Sequence, residues 1–388
     1  MPYTPPAVCY STAINGTYTQ LTGVQSVNIR RGRPFFQDNF PGTRCTVELI
    51  PANSYATPLA IGQWIDVRTS NSSSAAAYFV GQITDVERSY DMPYTTATGY
   101  APGDRITITA TGSTGQIAAN TVPSYTAFIQ TVQFQMAEFA VNSKVGYAFL
   151  GEDIATSFAS ATNIGALDAI NQLARTGQYN IDDADTNRQG NPYNAGVIEP
   201  VFFAYTGVGS LVATFGDAGS GTKYNQLRFL SSNQSTFNSV NVITPGLATQ
   251  NVKAAAGPYN SLDYNTYSAN TTDALNLATY LYRMLSGQTT VAPFSIGCDT
   301  AVDDTFLQYC HVANAYRVTE TARYTWIGGQ ATIAFRGTTY SAAVQSINTN
   351  FYPDRATAEF TFAPTLGQPF TLDSSTFGIL DTNRLGYP

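Results

Sequence analysis

The chain has 388 residues, length for two or three domains with real cores, and a net charge of −7 at pH 7. Only 12% of its residues are charged, against roughly 25% in ordinary globular proteins, so solubility rests on hydroxyls and amides. Its lysines are Lys144, Lys223 and Lys253, and its one basic cluster is Arg30, Arg31 and Arg33, which excludes a tight grip on phosphates but not a wall past which DNA slides.

Residues 1–120 read as β. Val27 and Ile29 alternate with Ser26, Asn28 and Arg30; Cys45, Val47 and Leu49 alternate with Thr46 and Glu48; Ile106, Ile108 and Ala110 alternate with Thr107 and Thr109. That is the period of a half-buried strand. Turn clusters such as Phe40-Pro41-Gly42 and Ala101-Pro102-Gly103 separate about six such strands, which suits a small barrel or sandwich.

Residues 121–287 read as a mixed α+β region. A helix is expected over Ala166–Arg175, capped by Asn163 and stopped near Gly177, and another over Thr272–Ser286, ended by Gly287. A short helix is expected around Tyr125–Phe139, with strands at Val201–Tyr205 and Leu211–Phe215 and a hairpin turn at Asp217–Gly221. Residues 288–388 return to β, with Ala356, Ala358, Phe360 and Phe362 alternating with Thr357, Glu359 and Thr361. The apolar tail Thr376–Pro388 is expected to dock.

One pattern occurs twice. Ile65, Val67 and Arg68, then Ala75-Ala76-Ala77, Val80-Gly81-Gln82-Ile83 and Asp104-Arg105-Ile106-Thr107 stand in the first third. Ile333, Phe335 and Arg336, then Ala342-Ala343, Val344-Gln345-Ser346-Ile347 and Asp354-Arg355-Ala356-Thr357 stand in the last. The offset falls from 268 to 264 to 250, mostly through loss of Ser89–Gly103. Such self-similarity marks a repeated structural unit. A chain with two copies of one barrel-like domain can build a ring of six from three chains.

Candidate chemistry is thin. Gly216–Lys223 has the Gly-x4-Gly spacing of a phosphate loop, but Thr222 stands where Lys must follow, so it reads as a hairpin turn. Asp183, Asp185 and Asn187 begin like a calcium loop, but Arg188 and Asn194 hold its Gly and Glu positions, so a polar turn is expected. Cys310-His311 is a thiol beside the only histidine, and strand neighbours point to opposite faces. The acid pairs Glu152-Asp153 and Asp303-Asp304 read as surface or cap positions. Cys9, Cys45, Cys298 and Cys310 read as small buried residues, with a Cys298–Cys310 bridge left open. The sequons at Asn15, Asn71, Asn233 and Asn270 carry no weight, since no secretory signal is expected at the N-terminus. No apolar run reaches 18 residues, so no membrane insertion is expected. No catalytic, cofactor-binding or metal-ligating residue is assigned, and the chain is expected not to be an enzyme.

Four blocks carry a resemblance: Val24–Arg33 ending in Arg31-Gly32-Arg33, Phe40–Leu49, Ile61–Arg68 and Phe79–Ile83. In this order they resemble the N-terminal part of phage minor tail proteins of the hub type. Leu167–Ala174, Asp273–Leu281 and the ending Ser375–Asp381 with Arg384–Tyr387 are similar to later parts of that family. Ile50-Pro51-Ala52-Asn53 departs from the family's usual Asn-Arg or Asn-Asp pair, and Gln178–Pro200 is longer and more polar.

The resemblance implies a mainly β fold. Two related barrels, residues 1–120 and 288–388, would flank the α+β middle. It further implies a homotrimeric tail-tip hub with pseudo-sixfold symmetry. Its partners would be the distal tail ring protein, the tape measure protein and tip or fibre proteins, with DNA only as passing cargo. Assembly would take place in the host cytoplasm. Ile29, Gly32, Gly42, Val67, Phe79, Ile83, Ile333, Phe335, Ile347 and Phe360 are expected to carry the fold. The rival readings are a hexameric distal tail ring protein, a carbohydrate-binding adhesin with Tyr stacking on sugars, and a cell-wall-degrading enzyme.

Overall fold

A computed structural model describes residues 3–14, 16–33, 38–50, 58–72, 75–90, 104–125, 129–150, 153–157, 161–185, 201–206, 213–217, 221–230, 237–286, 292–314 and 327–364. The first strands are β1 (Ala7–Ser11), β2 (Thr19–Gln20), β3 (Val24–Gly32), β4 (Arg44–Leu49), β5 (Trp64–Arg68), β6 (Ala77–Ser89) and β7 (Arg105–Thr111). Then come α1 (Ser113–Ala118), β8 (Thr121–Tyr125), β9 (Ile129–Thr131), α2 (Val132–Asn142), β10 (Gly146–Leu150), β11 (Ala155–Ser157), β12 (Ala161–Gly165) and α3 (Ala166–Gly177). The chain continues through β13 (Tyr179–Asp185), β14 (Val201–Thr206), β15 (Ala213–Gly216), β16 (Gln226–Leu230), β17 (Ser239–Ile243), β18 (Gln250–Lys253), β19 (Ser261–Asn265) and α4 (Thr271–Ser286). It closes with β20 (Ala292–Asp299), the 3-10 helix Thr305–Cys310, β21 (Ala313–Asn314), β22 (Gln330–Phe335), β23 (Thr338–Phe351) and β24 (Ala356–Pro364).

The fold is mainly β, and its largest sheet has 13 strands in the order β16-β20-β24-β23-β3-β4-β7-β6-β5-β1-β2, with β22 and β15 branching from β23. Alternation drives its formation. Val27, Ile29, Val47, Ile106, Ile108, Ile347 and Phe360 lie on the buried face, and their neighbours in sequence face outward. Of the residues expected to carry the fold, Phe335 departs, being only half-buried beside Phe229 at the rim of the sheet. Gly42 sits so close to Gly115 that a Cβ there would meet backbone.

The first and last thirds share a strand frame that can be followed residue by residue. In the first, Gln82 pairs with Thr111 and Ile83 with Ala110; in the last, Ser346 pairs with Thr361 and Ile347 with Phe360. These are the same pairs at the sequence offsets of 264 and 250. The correspondence extends one strand further. Cys45 opposite Ala110 matches Ile296 opposite Phe360, and Val47 opposite Ile108 matches Cys298 opposite Ala358. Thus β4 answers to β20. One strand beyond, Asn28 opposite Thr46 matches Gln226 opposite Gly297, so β3 answers to β16. A bulge between Ile83 and Asp85 adds one residue to the first frame.

The hairpins differ. β22 turns into β23 through Arg336 and Gly337, both at positive φ, the requirement of a tight primed turn. In the first third, residues 69–76 take its place between β5 and β6. The sixth strands also differ, since β1 runs antiparallel to β5 and β15 parallel to β22.

Several expectations for residues 121–287 are corrected. β15 and β16 fall within that range but join the large sheet, because their ladder partners lie on β22 and β20. The helix placed around Tyr125–Phe139 starts only at Val132, after two short strands, where the Thr131 hydroxyl accepts a bond from Phe134 N–H. Gly165, not Asn163, is the N-cap of α3; Asn163 lies in β12 at φ 53°, and Asp168 supplies the acidic first turn. Helix α4 is capped reciprocally, Asn270 accepting from Asp273 N–H and donating to its carboxylate. With β17–β19 it forms a core of its own around Val240, Val242, Leu262, Leu277 and Leu281. The hairpin turn at Asp217–Gly221, the stop at Gly287 and the tail Thr376–Pro388 lie wholly or partly outside the described residues.

Candidate functional site

The two related units meet along one antiparallel ladder between β3 and β23. Ser346 to Phe351 pair in order with Gly32 down to Val27. Strand β23 can serve both units because it is 14 residues long: its first half pairs with β22 and its second half with β3. Side chains reinforce the ladder. The Asn28 amide donates to Asn348 Oδ1 at 2.8 Å and to Asn350 Oδ1 at 2.7 Å. Arg33 donates from its backbone N–H to Gln345 O at 2.9 Å and from Nε to Gln345 Oε1 at 3.0 Å. Gly32 ends β3 at φ 79°, where a Cβ would run into the Gln345 carbonyl and Ile327.

Beneath this seam lies a buried polar cluster. Arg31 follows Val27 and Ile29 in strand phase, so it points inward, where it is 3% exposed. Its Nη1 donates to Cys310 O at 2.9 Å and its Nη2 to Asp182 Oδ2 at 3.0 Å. Asp183 accepts at Oδ1 from Ser113 Oγ at 2.5 Å and from Thr114 N–H at 2.8 Å. The cluster therefore ties β3 to β13 of the middle region, to α1 and to the end of the 3-10 helix.

Burial governs its protonation. Loss of water pushes Asp182 up to about 6, Arg31 pulling it down and Asp183 adding to the rise. Burial, then Arg31, lowers His311 to about 4, so its ring is neutral at pH 7. Burial lifts the Cys310 thiol to about 11, which keeps it from acting as a thiolate. His311 lies against Tyr78, ring centroids 4.7 Å apart, and Tyr78 lies equally close to Phe351 of β23. Cys310 and His311 sit at a helix end rather than on a strand, and the Cys310 thiol faces Phe306 O. The cluster fastens three regions together.

Other candidates fall elsewhere. Asp183 and Asp185 lie in strand β13, not in a polar turn, and Asn187 lies outside the described residues. Asp303 caps, accepting from Lys223 N–H and Thr305 N–H; Asp153 accepts from Gln133 N–H in the first turn of α2. Cys9, Cys45, Cys298 and Cys310 are buried thiols that form no disulfide with one another. No group of three or more His, Cys, Asp or Glu that could hold a metal occurs among the described residues. Sequence reasoning missed the Arg31–Asp182 pair. The signal was there in the odd phase of Val27, Ile29 and Arg31, which places the arginine on the apolar face.

The outward face of the sheet is polar without being strongly charged. One row runs in register from Asp85 through Thr109, Thr46, Asn28, Asn350 and Thr357 to Asp299, crossing from the first unit to the last.

No protein-family model matches the chain, and no curated protein matches it. Solved structures do. The 43 kDa tail protein of prophage MuSo2 from Shewanella oneidensis aligns over 93% of this chain and 98% of its own, with a TM-score of 0.54 at 13% identity. The tail protein from Neisseria meningitidis MC58 aligns over 93% and 97%, with a TM-score of 0.58 at 10% identity. Prophage tail protein gp18 from Listeria monocytogenes EGD-e aligns over 92% and 94%, with a TM-score of 0.52 at 10% identity. Over more than nine-tenths of its length, this chain has the fold of phage tail proteins.

Proposed function

We propose that the chain is a structural hub at the distal tip of a phage tail, in which three copies form a ring of pseudo-sixfold symmetry. The observation that carries this reading is the β3–β23 ladder. It sets two units of one strand frame side by side within a single chain, so each chain supplies two of six similar positions. A closed ring also removes open strand edges.

In this reading the two units are barrel-like and match a sixfold tail tube or distal ring above, while the threefold assembly matches tip and fibre parts below. The polar row of Thr and Asn suits a channel wall, because DNA slides past hydroxyls and amides without the counterion release that makes binding tight. The tape measure protein is the expected occupant of that channel before DNA passes. The buried cluster holds the middle region to the ring, and no catalysis is assigned to the chain.

The test is the number of subunits around the axis, read by negative-stain imaging and native mass measurement of the purified protein. Three chains with six similar lobes support the hub. Six chains, or a persistent monomer, count against it; six would favour a distal tail ring protein.

A further inference from the structure

The correspondence between the two units predicts a second joint that a single chain leaves open. Within the chain, the second half of β23 pairs with β3. The equivalent of β23 is β6 and the equivalent of β3 is β16. Yet β6 pairs with β5 only over its first half, and among the described residues no strand lies beside Asp85, Val86 and Glu87 on that side. Among the described residues, strand β16 is the end of the sheet and pairs only with β20. Among the described residues, one chain therefore carries an unfilled socket beside the second half of β6 and, at β16, a strand with one open edge.

We propose that β16 of one copy adds antiparallel to the second half of β6 of the next, as β3 adds to β23 within the chain. This rests on the ring reading above and gives that ring its contact. The register follows from the internal joint. Asn348 opposite Arg30 becomes Asp85 opposite Arg228; Thr349 opposite Ile29 becomes Val86 opposite Leu227; Asn350 opposite Asn28 becomes Glu87 opposite Gln226. The ladder starts at Asp85 because Ile83 is already bonded to Gly62 and Gln63.

The chemistry of these three pairs fits. A carboxylate faces a guanidinium, two half-buried apolar side chains face each other, and an amide faces a carboxylate. Gln226 takes the place of Asn28, whose amide bridges Asn348 and Asn350; the equivalents of those acceptors are Asp85 and Glu87. Arg228 can turn, because its side chain is 58% exposed and its contacts are loose, 3.9 Å to Glu359 and 5.9 Å to the Phe294 ring centre. Leu230, at the end of β16, is 39% exposed. A row of unpaired strand groups flanked by apolar side chains is a template for strand addition, and a second copy supplies the matching strand.

The test combines cross-linking with charge reversal in the full chain. Asp85→Cys with Arg228→Cys should give disulfide-linked dimers and trimers on oxidation, while each single variant gives none; the four native cysteines are buried and stay silent. Asp85→Arg or Arg228→Asp should weaken association about tenfold, since like charges face each other at three joints, and the double swap should restore it. Trimers that form without the cross-link, or single reversals without effect, would overturn this joint and leave the ring standing. Monomers or hexamers in native mass measurement of the unmodified protein would overturn both.

Discussion

Arg31 and Phe229 hold the same place on equivalent strands and make opposite use of it. In the first unit, Arg31 sends a guanidinium inward to Asp182 and Cys310, binding its strand to the middle region. In the last unit, Phe229 is half-buried and packs on Phe335 and Tyr340 of the β22–β23 hairpin, within its own unit. One strand frame thus supports two interiors. Backbone ladders set the frame, and they depend on alternation rather than on particular side chains. The interior depends on what each unit must hold.

The largest expected contrast is energetic. Arg31→Met should cost about 3–5 kcal/mol, because it strands a buried carboxylate. Phe229→Ala should cost only about 1–2 kcal/mol, as befits a half-buried ring. Urea unfolding of both variants reads the difference, and equal losses would mean that the two units are anchored alike. Next comes the shared frame itself. Phe360→Ala, at 0% exposure, should cost about 3–5 kcal/mol, while its counterpart Ala110 has only a methyl to lose.

A smaller contrast separates two glycines. Gly32→Ala at the seam should cost about 2–3 kcal/mol, adding a clash with Gln345 O to positive-φ strain. Gly337→Ala in the β22–β23 turn meets nothing within 4 Å and should cost about 1 kcal/mol from strain alone. Thermal melts would rank them, and the reverse order would show that the seam yields easily.

The smallest effect is in pH dependence. Asp182 titrates near 6 in the fold against 3.8 unfolded, so the folded state holds more protons between these values and stability falls as pH rises. His311 titrates near 4 in the fold against 6.5 unfolded, so the folded state holds fewer protons and stability rises with pH. From pH 4 to 6 the two oppose each other. In His311→Leu only the Asp182 trend remains, so stability should fall across that range more steeply than in the parent. Parallel curves would show that His311 is not held neutral.

Much of this fold was legible in advance where local pattern decides it. The strands around Ile29, Val47, Ile108 and Phe360 follow from period two, and α3 and α4 from period 3.6 with their small-residue faces. The doubled Ile-x-Phe/Val-Arg and Val-x-x-Ile blocks located both units, and the register pairs at Ile83 and Ile347 place them in matching ladders. Less was legible where contacts span great distances in sequence. That β16 leaves its neighbours for the large sheet depends on partners about seventy residues away on β20. Asp183 and Asp185 read as a polar turn because a carboxylate can be buried only when a distant cation or hydroxyl meets it, as Ser113 meets Asp183 and Arg31 meets its neighbour Asp182.

The sequence by itself determined the alternating strands of the two units, the helices α3 and α4 and that one strand pattern occurs twice, because these are properties of neighbours within a few residues. Only the tertiary structure decided that the two units share a single sheet through β3 and β23 and that Arg31 pins them to the middle region. Edge pairing is written in backbone groups that every residue carries alike, so the partner of a strand is chosen by the assembled fold and not by the strand's own letters.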